Sequence, residues 1–94
     1  MEAFYFRSYN RIIGRARDVR ELRREMSRLS WENPDAVAYH LRQGHIASWL
    51  ESIGERELAE ELRNVKSIEE AERKIEKYLE RTMIEYRMQI GYMH

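Results

Sequence analysis

Pro34, Gly44 and Gly54 stand ten residues apart, and a short run of apolar residues at helical spacing follows each of them. This punctuation limits the possible folds more than any other feature of the chain. Asn33-Pro34 has the order of an N-cap followed by a first helical residue, where proline's missing N–H would be unpaired anyway. The spacing predicts a helix over 34–43 that buries Val37 and Leu41, with Gly44 as the left-handed residue ending it. Ile46, Trp49, Leu50 and Ile53 mark a second helix closed by Gly54, and Leu58, Ala59, Leu62 and Val65 mark a third. One-residue breaks leave no loop for an antiparallel return, so these helices must cross steeply. An up-down bundle is excluded.

The flanks have punctuation of their own. Asp18 and Glu21 carry the D-x-x-E spacing of a capping box ahead of Val19, Leu22, Met26 and Leu29, which predicts a helix over 18–30. Ser67 and Glu70 repeat the device ahead of Ile68, Ala71, Ile75, Tyr78 and Leu79, with Glu70–Lys74 as a favourable i,i+4 pair. Residues 84–92 alternate strictly between apolar and other residues, a strand pattern. No breaker lies between Glu70 and Gly91, however, and continuation of the helix is the favoured reading. At the other end, Phe4-Tyr5-Phe6 and Arg7 suit a strand over 3–7, with Ile12-Ile13 as its partner across a turn. The expected fold is mainly α: about five helices in a compact array, a short N-terminal β element and a long C-terminal helix, with a strand over 84–92 as the alternative.

Ninety-four residues suffice for a single domain spanning 1–94. Seventeen basic and seventeen acidic side chains cancel, which excludes a uniformly basic coat protein or an acidic tail. The neutral total hides a dipole, because residues 1–30 hold eight arginines against four acids while the remainder holds nine bases against thirteen acids. Cysteine is absent, which removes disulfides, thiolate metal ligands and thiol nucleophiles. No apolar stretch is long enough for a membrane span and the start MEAFYFRSYNR lacks a leader's apolar core, so a cytoplasmic protein is expected. Dense charge with only two Gln and three Asn is the direction taken by hot-adapted proteins, although fourteen Arg to three Lys is not their usual balance.

Candidate chemistry is sparse. His40 and His45 straddle the break at Gly44 and could converge on a metal with Glu51 or Asp35. The structural alternative has His40 capping the end of its helix and His45 opening the next. Ser48 lies near His45 and Glu51, but no G-x-S-x-G elbow, oxyanion loop or glycine-rich phosphate cradle accompanies them. Neither catalysis nor a cofactor is expected. Arg7, Arg11, Arg15 and Arg17, interleaved with Phe4, Tyr5, Phe6 and Tyr9, have the mixture that grips single-stranded nucleic acid, whereas Glu21 and Glu25 partly neutralise Arg20, Arg23 and Arg24. Trp49 is a core candidate; Trp31 either staples the following helix or is exposed.

The order FYFR, then YH at Tyr39-His40, then GHIASWL and ELAEEL resembles an uncharacterised prokaryotic domain-of-unknown-function family over residues 4–65. That resemblance implies an aromatic N-terminal strand and a histidine ahead of a helix containing Trp49-Leu50. It implies no catalytic residue. The leading functional expectation is a non-catalytic interaction module, a homodimer that associates through Met83, Ile84, Tyr86, Met88, Ile90 and Tyr92. Nucleic-acid binding through the arginine-rich N-terminal third comes second, and a small metal-dependent enzyme third.

Overall fold

The computed structural model describes residues 2–92, with side chains through residue 84. Two antiparallel strands, β1 (Phe4–Ser8) and β2 (Arg11–Ala16), precede five helices. These are α1 (Val19–Glu32), α2 (Pro34–Arg42), α3 (His45–Ser52), α4 (Arg56–Arg63) and α5 (Ile68–Tyr92). The expected mainly α array is therefore the fold, and residues 84–92 continue α5 rather than forming a strand.

The caps behave largely as the sequence demands. Asp18 accepts the Glu21 N–H at 2.8 Å, and Ser67 accepts the Glu70 N–H at 3.1 Å. The return arm of the first box is redirected: the Glu21 carboxylate takes the N–H of Arg17, one residue ahead of the cap, at 2.9 Å. Helix α1 runs two residues past the expected end. Asn33 then serves two helices at once, donating its N–H to Leu29 and accepting that of Ala36 on its side chain. Gly44 and Gly54 both take left-handed backbone, with φ of 76° and 88°. They turn α2 into α3 and α3 into α4 without intervening loops.

A single core joins all the elements. Phe6, Leu22, Met26, Leu29, Val37, Ile46, Leu50, Leu58, Leu62 and Ile75 are fully buried, with Phe4 and Trp49 nearly so. The Trp49 indole N–H is satisfied by the Glu2 carbonyl at 2.9 Å. Trp31 is exposed, so it does not staple α2. Glu70–Lys74 is not among the ion pairs of the described residues. Several pairs instead join elements, including Arg23–Glu76 at 3.2 Å and Arg81–Glu57 at 2.9 Å.

The two-stranded sheet is notable for what lies along its edges. On β2, the N–H groups of Arg17 and Arg15 donate to Glu21 (2.9 Å) and Glu25 (3.4 Å), and Arg28 donates to the Ile13 carbonyl at 2.8 Å. Glu21, Glu25 and Arg28 recur at one helical turn on α1, a rise of about 5 Å. Arg17, Arg15 and Ile13 recur every second residue on the strand, about 6.6 Å apart. The near match lets a helix replace a third strand with its side chains. On β1, His40 caps the outward N–H of Arg7.

Candidate functional site

The two internal histidines do come together. His40 stands in the last turn of α2 and is 6% exposed, whereas His45 opens α3 at the surface. The Arg7 N–H points at His40 Nε2 at 3.0 Å, which fixes that nitrogen as an acceptor and puts the ring proton on Nδ1. His40 Nδ1–H then donates to His45 Nδ1, 3.0 Å away. The Arg7 carbonyl lies 3.3 Å from the same Nε2. Phe4, Phe6 and Tyr39 set their rings edge-on around His40 at 5.3–5.8 Å. Burial, chiefly, with His45 and the Arg7 cation nearby, holds the His40 pKa below its ordinary value against the opposing Arg7 backbone contact. His40 therefore does not cap its helix as a cation; it is a neutral clamp between α2 and β1.

This geometry bears on metal binding. A metal at His40 Nδ1 would need that nitrogen deprotonated and Nε2 protonated, against the Arg7 N–H. No group of three or more ligating side chains that could hold a metal occurs among the described residues, and neither Glu51 nor Asp35 joins the histidines. Glu51 is turned to Arg63 at 2.6 Å. The side-chain hydrogen bonds of His45 and Glu51 run to His40 and Arg63 rather than to Ser48.

The four N-terminal arginines divide. Cross-strand neighbours on the outward face of the hairpin are Tyr5 with Arg15 and Arg7 with Ile12, all exposed. Ile13 is the extra residue of a bulge between Gly14 and Ile12, so positions nearer the turn change face. Arg11 accordingly lines a cleft of about 310 Å³ beside the turn, with Ser8, Tyr9, Ile13, Leu29, Glu32 and Asn33. Arg17 is bound to Glu21 at 3.0 Å, and this partner, together with the Arg17 N–H, holds the Glu21 carboxyl down at about 2. Phe4 and Phe6 face the core and are not stacking surfaces. Tyr9 is fully exposed at 101% and sits at φ 57°, a conformation bulky residues seldom adopt.

The third region is the far half of α5. Among the described side chains, the last to pack on the core are Tyr78 and Leu79, beyond which Met83 and Ile84 are 44% and 57% exposed. A groove of about 530 Å³ runs between α1 and α5, with Arg20, Arg23 and Arg24 on one wall and Glu76, Leu79 and Met83 on the other. Of the residues expected to mediate self-association, Tyr86, Met88, Ile90 and Tyr92 lie outside those whose side chains are described.

No described helix is long and apolar enough to cross a membrane. In comparisons with known proteins, no family model, no curated protein and no solved structure matches the chain.

Proposed function

We propose that this domain is a non-catalytic assembly module in which the outer part of α5 joins two copies about a two-fold axis. The observation that supports it is one of shape. The molecule measures 51 × 25 × 22 Å, and α5 alone, at 25 residues, is about 37 Å long. Among the described side chains its core contacts end at Leu79, and positions 80–84 beyond it are exposed. The helix surface there is apolar at Met83 and Ile84, and the sequence that follows adds Tyr86, Met88 and Ile90. Soluble monomers seldom carry large contiguous apolar patches, and the commonest partner for a lone chain is a copy of itself.

Multi-angle light scattering at micromolar concentration tests the reading. A dimer mass that falls to the monomer in Ile84→Asp supports it, and a monomer mass for the wild type defeats it. Position 84 faces solvent, so the substitution leaves the core untouched.

A further inference from the structure

We propose that the outward face and tip of the β1–β2 hairpin form a binding platform for single-stranded nucleic acid. This platform is independent of α5 and of any association through it.

Three observations converge on the hairpin. The first is charge. Among the described residues, the ion pairs engage Arg17, Arg23, Arg28, Arg63 and Arg81, but none engages Arg7, Arg11 or Arg15. Acidic side chains beside the sheet are already committed: Glu21 to Arg17, and Glu25 and Glu32 to Arg28. The hairpin therefore presents cations that no described carboxylate pairs, as Arg20, Arg24, Arg42, Arg56 and Arg73 also do elsewhere, and on the hairpin a phosphate chain would supply the complement.

The second observation is the placement of flat and apolar side chains among those cations. Tyr5 stands directly across from Arg15 and Ile12 directly across from Arg7, with Tyr9 bare at the tip. An alternation of guanidinium and ring suits a polymer that alternates phosphate and base, because rings stack on bases whatever their identity. Tyr9 adds a point of its own. It occupies a left-handed position of a two-residue turn, where Gly or Asn would be unstrained, and it makes no use of its ring within the fold. Strain retained on an exposed aromatic side chain is a mark of a contact surface.

The third observation selects the form of the nucleic acid. A free two-stranded ribbon can enter the major groove of a duplex, about 12 Å wide. Here the ribbon is flanked, with α1 side chains along the β2 edge and His40 of α2 against β1. The β2 edge is thus covered along its length and the β1 edge is blocked at Arg7, which hinders entry of the ribbon into a groove. What remains is a narrow open face, across which a single strand can lie with its phosphates on Arg7 and Arg15 and a base on Tyr9 at the tip.

Fluorescence anisotropy with a labelled 12-nucleotide oligothymidine, titrated at several NaCl concentrations, tests this. Two arginine–phosphate contacts predict a log–log slope of about −1.4, and Arg7→Ala and Arg15→Ala should each flatten it by about 0.7, whereas Arg11→Ala, on the cleft side, should leave it unchanged. Tyr5→Ala and Tyr9→Asn should weaken binding about fivefold or more while leaving the slope unchanged. Arg24→Ala, on the groove side of α1, should change nothing. No binding at 20 mM salt overturns the proposal, as does a duplex of the same length that binds more tightly. Inorganic polyphosphate competing equally, with both tyrosine variants unaffected, also overturns it by reducing the face to a general anion sink. The hairpin variants should keep the wild-type mass in light scattering, so a failure here is distinct from a failure of the α5 assembly.

Discussion

Protonating His40 would place a charge in an aromatic cage and break one of two contacts. A proton on Nε2 could be donated only to the Arg7 carbonyl, displacing the Arg7 N–H, and His45 and the Arg7 cation both oppose the charge. The unfolded chain takes up this proton near pH 6.5, the native protein only at lower pH. Between those two points the unfolded state holds more protons at this group, so the His40 contribution to stability falls as the pH drops below about 6.5. Urea unfolding at pH 7.5 and 5.5 should show this loss, and His40→Gln should diminish it. Tyr9 illustrates the opposite case, a residue placed against local preference. Tyr9→Asn, which accepts left-handed backbone more readily, should raise stability by about 1 kcal/mol, read from the urea midpoint. A gain in stability coupled to a loss of nucleic-acid affinity would show that the two demands conflict at one position.

Among the elements, the corner at Gly44 isolates a purely backbone effect. Nothing lies within 4 Å of where its Cβ would stand, so Gly44→Ala meets no neighbour and pays only for φ 76°. The expected cost is about 1–2 kcal/mol, and an unchanged melting temperature would refute it. At Gly14 the limit is steric instead, since a Cβ there would come within 3.0 Å of Leu29 Cδ1 in the core. The helices were legible in the sequence because their signals are local: a cap, a stripe, a breaker. The hairpin was legible as two strands but not as two faces. Period-two counting keeps Arg11 and Arg15 on one face of β2, and only the bulge at Ile13, which nothing in the sequence marks, separates them and sets Arg15 beside Arg7. His40 was misread for a related reason. Its partner, Arg7, is 33 residues away, and a helix-end histidine looks the same whether it faces solvent or a strand. The apolar content of the outer part of α5 was plain from the sequence, whereas the exposure of positions 80–84, just past Leu79, depends on how far the other elements reach.

For the molecule as a whole, the proposed association would make stability depend on concentration. If two copies bury Met83 and Ile84, association favours the folded state by mass action. The melting temperature should then rise across a hundredfold range of protein concentration in the wild type and stay constant in Ile84→Asp. The closed hairpin has a different consequence, for the fate of the chain under stress. Two short strands with exposed edges would be a template for stacking copy on copy into fibrils. Here Glu21, Glu25 and Arg28 form a removable guard rail along β2. Resistance to fibril growth therefore belongs to α1 rather than to the strands. Arg28→Ala, at a temperature below the melting point, should shorten the lag before thioflavin-positive aggregates form, while Arg24→Ala on the same helix should leave the lag unchanged.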